Sequence, residues 1–302
     1  MELFMKSPYF KYVPSSPADM DWGTVITVAG FTMIEKGKIY PPPGHPRNYN
    51  FNWEHGRILL EYQLIYIAGG EGTFETGSNT YNVKTGDVLM LFPNQWHRYS
   101  PNPKTGWTEY YVGLKGPVID NILKCGFIKT DEPVFNIGED DMVIQIFKDI
   151  LESVEAEKSC FQQETSGAVL HLLGHILKIK KDESFKGKNT EDFVKKAKFI
   201  MLQNLTQNID IEQIADELMV GYSRFRKEFK KYTGMSPLHY HNDLRLQESR
   251  KMLAFTEKSI KQIAIDLGYE SDFYFSRLFK AKTGNSPTQY RKACKVKPKK
   301  RA

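Results

Sequence analysis

The chain has 302 residues, with 42 Lys+Arg against 36 Asp+Glu and a formal net charge of +6, a length that suggests about two domains. Its three cysteines, Cys125, Cys160 and Cys294, are too few and too scattered for a disulfide framework or a CxxC metal site, and no apolar run is long enough to span a membrane. The opening MELFMKSPYFKYVPSSP lacks the charged-then-apolar order of a secretion signal, so a reduced, cytoplasmic protein with no membrane partner is expected.

Residues 1–138 read as a β-domain. Tyr9, Phe10, Tyr12 and Pro14 form an arm that either folds over a bound ligand or packs as a terminus. Leu59 to Ala68, rich in β-branched and aromatic residues, reads as a strand, with a turn at Gly69, Gly70 and Gly72 and a further strand from Thr73 to Glu75. Thr76 to Asn79 and Lys84 to Asp87 read as turns around a strand at Thr80 to Val83. Val88 to Phe92 and Trp107 to Leu114 follow as strands. Short strands at this spacing suggest a barrel or a sandwich. The segment GDVLMLFPNQWH, Gly86 to His97, resembles the second half of the cupin signature, a small β-barrel. Metal-dependent cupins carry an HxH pair and a carboxylate in the first motif, but Gly56 to Tyr81 holds no histidine. His97 alone cannot hold a metal, which needs three or more ligands, and His45 and His55 lie upstream at the wrong spacing. The barrel is therefore expected to bind a small molecule without transforming it, with no catalytic residue, metal or cofactor.

Residues 139–181 carry two amphipathic patterns. Met142, Val143, Ile146, Phe147, Ile150, Leu151 and Val154 suit one helix, and Val169, Leu170, Leu172, Leu173, Ile176 and Leu177 a second. Such stripes must be buried, either on the barrel or against a second subunit, and the dimer is the favoured reading. Residues 182–189, polar and glycine-containing, read as a linker.

The C-terminal third states one pattern twice. Ile211 to Tyr240 and Ile260 to Tyr290 register, with one inserted residue, at Ile211/Ile260, Ile214/Ile263, Ala215/Ala264, Leu218/Leu267, Phe225/Phe275, Phe229/Phe279, Gly234/Gly284, Pro237/Pro287 and Tyr240/Tyr290. A period near fifty residues is a supersecondary unit used twice. Asp210 with Gln213, and Ser259 with Gln262, have capping-box spacing. Gly221 and Gly268 are expected to supply a left-handed turn, followed by second helices at Tyr222 to Tyr232 and Asp272 to Lys282. Gly234 and Gly284 stop these helices, and Ser236-Pro237 and Ser286-Pro287 open the next. The unit reads as a helix-turn-helix. Its outward second-helix face carries Ser223, Arg226, Lys227 and Lys230 in the first copy and Asp272, Phe273, Ser276, Arg277 and Lys280 in the second. Arg and Lys can pair with guanine edges in the major groove. A merely solvated face is the alternative, which two copies with the same caps and stop disfavour. Asp272 reads either as base-facing or as an N-cap. Pro237 to about Phe255 reads as a spacer helix whose Arg245 and Arg250 touch phosphates or make surface ion pairs.

Charge agrees with this division. Residues 190–302 hold 23 Lys+Arg and 13 Asp+Glu, and residues 1–189 hold 19 and 23. A basic module on a mildly acidic one is the footprint of a nucleic-acid binder, with a basic tail at 293–302 adding nonspecific attraction.

Residues 190–292 resemble the DNA-binding domain of AraC/XylS-family transcription regulators, and IKQIAIDLGYESDFYFSRLFKAKTGNSPTQYR follows the family signature almost throughout. The resemblance implies seven helices with two helix-turn-helix motifs that read successive major-groove faces of double-stranded DNA. It places Ser223, Arg226 and Lys227, and Asp272, Phe273, Ser276 and Arg277, at base-contacting positions. It also implies that the barrel is the sensor. By resemblance to sugar-responsive members, Tyr99, just after His97, and Glu109 and Tyr111 match pocket positions. Glu109 and Tyr111 share a strand face, Trp107 falls on it by period, and Arg57 is a polar partner; ordinary core aromatics are the alternative. The expected fold class is α+β multidomain: a cupin-like barrel, a helical pair, then an all-α domain. The expected function is a sequence-specific regulator, usually an activator, controlled by a small effector such as a sugar. A homodimer and RNA polymerase are the implied partners. The rival readings are a cupin enzyme fused to a DNA anchor and an architectural DNA-binding protein without effector.

Overall fold

The computed structural model describes residues 8–38, 40–41, 53–185, 189–207 and 209–295; the chain divides into two units, residues 1–184 and 185–302. His45, residues 186–188 of the expected linker and residues 296–302 of the basic tail lie outside the described residues.

The first unit is built on antiparallel strands: β1 (Tyr9–Tyr12), β2 (Val25–Ile34), β3 (Arg57–Ile58), β4 (Tyr62–Thr76), β5 (Thr80–Lys84), β6 (Asp87–Leu91), β7 (Trp96–Pro101), β8 (Trp107–Lys115) and β9 (Val134–Asn136). Its helices are α1 (Pro17–Asp21), α2 (Pro117–Lys124), α3 (Asp141–Ala156) and α4 (Phe161–Glu183). One layer runs β1-β2-β8-β4-β6-β9, and β3, β7 and β5 join through the far half of β4. β4 serves both layers: Tyr62–Gly70 pairs with β8, and Gly72–Thr76 with β7. A register shift between Ile67 and Gly69 inserts a residue and flips which face each side chain takes. Phe74 therefore joins Ile65 and Ile67 in the barrel interior, while Leu64 and Tyr66 face outward.

The turn expected at Gly69, Gly70 and Gly72 is not there; the strand runs straight through. These glycines answer to neighbours instead. A Cβ on Gly72 would lie 2.8 Å from the Trp107 ring, and one on Gly70 would collide with the Gly106 carbonyl. The expected arm is an edge strand, paired with β2 from Tyr9↔Phe31 to Tyr12↔Val28. Its Phe10 and Tyr12 pack toward the interior, while the Lys11 ammonium donates to the Val154 carbonyl (3.0 Å) and pairs with Glu157 (3.0 Å) at the end of α3.

α3 and α4 are the expected helical pair. Asp140 caps α3 by accepting from the Val143 amide. Val143, Ile146, Phe147, Ile150, Leu151 and Val154 of α3, with Val169, Leu172, Leu173 and Ile176 of α4, are buried against Leu64, Tyr66, Val88, Met90 and Tyr110 of the sheet. Of the two partners open to these stripes, the barrel takes them; Met142 and Leu170 stay exposed. Gln162 fastens α4 to β2, its amide donating to the Ile26 and Pro14 carbonyls and accepting from the Ile26 amide.

The second unit has seven helices among the described residues: α5 (Thr190–Gln203), α6 (Ile211–Glu217), α7 (Tyr222–Thr233), α8 (Pro237–Phe255), α9 (Ile260–Asp266), α10 (Asp272–Thr283) and α11 (Pro287–Lys295). The repeat yields two matched cores. Ile214, Ala215, Phe225 and Phe229 fill one, and Ile263, Ala264, Phe275 and Phe279 the other. Each closes on an edge-to-face stack, Phe229–Tyr240 at 5.5 Å and Phe279–Tyr290 at 5.4 Å. Phe185, within the stretch read as linker, is buried against Tyr232.

Three local expectations need correction. The left-handed residue of the first turn is Met219 (φ +54°), not Gly221, which is an extended N-cap (φ −54°). Met219 is the counterpart of Gly268 (φ +66°): each follows the matched Leu218 or Leu267 and donates to the carbonyl three residues back. The inserted residue thus lies after the turn. The capping boxes are half made. Asp210 and Ser259 accept backbone amides, but the Gln262 side chain bonds Asp266 instead of reaching back. Arg245 is neither phosphate-facing nor surface-paired. It is buried, donates through Nε to the Leu267 carbonyl at the end of α9, and lies 4.5 Å over the Tyr269 ring. α8 is thereby a packed strut more than a spacer.

Candidate functional site

The reading helices present their faces as the repeat dictates. Phe225 and Phe229 turn inward on α7, which leaves Ser223, Arg226, Lys227 and Lys230 exposed on the opposite side. The Arg226 guanidinium lies 5.4 Å from the Tyr222 ring. On α10, Asp272, Phe273, Arg277 and Lys280 are exposed and Ser276 is half-buried. Among the described residues none of these cations is in an ion pair within 4.0 Å, so their charge is available to an anionic partner. The N-cap of α10 is Ser271, which accepts from the Tyr274 amide at 3.1 Å. Asp272 is therefore the first helical residue, its carboxylate near the positive helix end, and not the cap. Phe273 is 75% exposed; an apolar ring there suits a thymine methyl better than a phosphate.

The six barrel residues singled out above converge on one interior. Arg57 on β3 stands opposite His97 on β7 in register. Its guanidinium donates to the Tyr99 hydroxyl (2.7 Å), the Gln63 carbonyl oxygen (3.0 Å) and His97 Nε2 (3.3 Å). His97 is buried and stacks beside Tyr99 at 6.4 Å. Burial, then the Arg57 charge, pushes its pKa down to about 4, so the ring is neutral and its Nε2 lone pair already faces a cation. That is a poor setting for a metal ligand, and among the described residues no three His, Cys, Asp or Glu side chains are grouped to hold one.

β8 supplies the other wall. Trp107, Glu109 and Tyr111 alternate inward and are each at most 6% exposed. The Trp107 and Tyr99 rings are 6.0 Å apart. Burial pushes the Glu109 carboxyl up to about 8 against the opposing pull of Arg57 and a Tyr40 hydrogen bond, so it is largely protonated at neutral pH. Among the described residues, Glu109 Oε2 and Trp107 Nε1 have no hydrogen-bond partner, which is costly for buried polar atoms unless something supplies one. Two aromatic rings lie against bare backbone: Tyr111 meets Gly30, its partner across the β2–β8 ladder, and Trp107 meets Gly72. Aromatic faces, one carboxyl, one guanidinium and orphaned polar atoms together suit a hydroxyl-bearing ring.

Two residues of this interior were not legible from sequence. Gln63 precedes Leu64 in what reads as an apolar strand, and only the barrel's register brings it to Arg57. Tyr40 lies in the Pro-rich stretch KIYPPPGHP, which carries no strand pattern. Its hydroxyl donates to Glu109 Oε1 at 3.4 Å.

Comparison with known proteins matches two stretches of the chain to known domain families. Residues 37–173 match the AraC-like ligand binding domain, and residues 214–293 match a helix-turn-helix domain. The chain is 28% identical over 252 residues to the lactose operon transcription activator of Staphylococcus xylosus, covering 81% of this chain and 87% of that protein. It is 22% identical over 248 residues to the raffinose operon transcriptional regulatory protein RafR of Pediococcus pentosaceus, covering 81% and 89%. It is 24% identical over 253 residues to the arabinose operon regulatory protein of Escherichia coli (strain K12), covering 78% and 82%. With a sheet-rich ligand-binding domain followed by a duplicated helix-turn-helix, this chain belongs to the AraC family of DNA-binding transcriptional regulators.

Proposed function

We propose that this regulator activates genes of carbohydrate use in response to a sugar bound inside its barrel. The observation that carries the reading is the lining of the barrel interior: two neighbouring aromatic rings, Tyr99 and Trp107, with Glu109 Oε2 and Trp107 Nε1 buried and, among the described residues, unpartnered. Aromatic faces take the apolar side of a pyranose, and the polar atoms take its hydroxyls. The names of the relatives, operon regulators for lactose, raffinose and arabinose, support the class. Arg57, His97, Tyr99, Trp107, Glu109 and Tyr111 form the effector site. Residues 1–138 hold it, 139–181 and 182–189 join it to the reading domain at 190–292, and Ser223, Arg226, Lys227, Lys230, Asp272, Phe273, Ser276, Arg277 and Lys280 face DNA. The active species is a homodimer that engages RNA polymerase.

A ligand shifts a conformational equilibrium only by its differential affinity for the two states. The test has two parts. Lactose, raffinose and L-arabinose are screened for thermal stabilisation, since a ligand at 100 times its Kd adds about 2.7 kcal/mol. Promoter footprints are then compared with and without the stabilising sugar. An unchanged footprint and affinity in the presence of a bound sugar would sink the switch.

A further inference from the structure

Among the described aromatics packed on the chamber, Tyr40 alone belongs to no strand. Its ring meets Trp107 edge-on, 5.7 Å between centroids at 87°, and leans on Tyr99 at 6.0 Å. Its hydroxyl points at Glu109. A ligand ring held here would meet the same groups: two adjoining aromatic rings on one side, with a hydroxyl on the carboxyl. Yet the fit is incomplete. The bond to Glu109 Oε1 is long at 3.4 Å, and among the described residues Glu109 Oε2 and Trp107 Nε1 stay unpartnered. A phenol offers one hydroxyl, whereas a polyhydroxylated ring of the same girth can meet all three atoms. We propose that Tyr40 is a built-in occupant of the effector site, and that the effector is a saturated, polyhydroxylated six-membered ring that takes its place. The inference rests on the reading that the effector binds in this chamber. Tyr40 then lowers the apparent affinity, because only the fraction of molecules with the chamber vacated can bind, and it selects against ligands that offer no more hydrogen bonds than a phenol.

The test uses the full chain and p-cresol, which is the tyrosine side chain set free. Tyr40→Ala should leave a phenol-shaped hole. p-Cresol at about ten times its Kd should raise the Tm of that variant by about 3 °C and leave the parent protein and Tyr40→Phe unmoved; adding Trp107→Leu should abolish the shift. A Tyr40→Ala chain that folds only with p-cresol supports the proposal equally. No shift, an equal shift in the parent, or a variant unfolded with and without p-cresol overturns it, the last by making Tyr40 a structural residue. Lactose, raffinose and L-arabinose form the second arm. A sugar that stabilises the parent should bind Tyr40→Phe several-fold more tightly, because the competing hydroxyl is gone. Unchanged affinity there, with binding lost in Trp107→Leu, would leave the chamber as the effector site and remove only the occupant. Absence of any sugar binding would count against the proposed function, while the p-cresol arm still decides the role of Tyr40.

Discussion

The two reading heads, α6–α7 and α9–α10, bury the same residues and expose different ones. Inside, Ile214/Ile263, Ala215/Ala264, Phe225/Phe275 and Phe229/Phe279 occupy matched positions. Outside, the first head offers Arg226, Lys227 and Lys230, while the second opens with Asp272 and an exposed Phe273 before Arg277 and Lys280. Even the shared turn is made with different residues, Met219 in one and Gly268 in the other. The fold constrains what faces the core; the surface is left to the partner. The first head therefore presents a cationic face and the second a mixed apolar and cationic one.

The largest test of this pairing is steric. A Cβ on Gly268 would collide with the Thr206 carbonyl and lie 2.7 Å from the Arg245 guanidinium. Gly268→Ala should cost about 3 kcal/mol in urea unfolding; a loss below about 1 kcal/mol would mean that the second turn is as open as the first. Next comes the reading surface. Arg226→Ala should lose about 1–3 kcal/mol at particular base pairs, and Phe273→Ala should lose selectively where a thymine is replaced. Competition among single-base operator variants measures both, and a uniform loss for Arg226→Ala across all of them would demote it to a phosphate contact. A smaller effect is expected at Met219, 95% exposed in a left-handed conformation. Met219→Gly should gain about 0.5 kcal/mol, as relief of backbone strain outweighs the added freedom of the unfolded chain. Smallest of all, Gly221→Ser should gain a few tenths of a kcal/mol by giving α7 the side-chain cap that Ser271 gives α10. A loss at either position would break the equivalence drawn between the turns.

Legibility followed the range of the contacts. The helical domain was readable because its caps, stops and core faces are local, and the repeat doubled each signal. The barrel was readable only in pieces. β2, VITVAGFTMI, is buried along most of both faces, so it lacks the alternation that marks a half-exposed strand. β4 was cut at its glycines because a glycine run usually means a turn, whereas here Trp107 and Gly106 press against it from β8 and the preceding loop. In the barrel interior, Glu109 and Tyr111 were reached through the family resemblance, and period two on their strand added Trp107. Arg57 and Gln63 meet them only through pairings across the barrel, and Tyr40 from a segment outside the strands, which no local pattern encodes. Arg245 misled for a related reason: an arginine on a long helix reads as surface until the end of α9 arrives to accept its hydrogen bond.

The missing side chains at Gly30 and Gly72 have a consequence for how such a sensor changes its taste. Because Tyr111 and Trp107 rest on those glycines, the bore of the proposed effector site is set from behind its walls. One methyl group added at Gly30 would press on the Tyr111 ring, and one at Gly72 would meet the Ser100 carbonyl before the Trp107 ring, so the wall of the proposed effector site would change shape with every residue lining it left as it was. Selectivity here can drift by changes that never meet the molecule being selected.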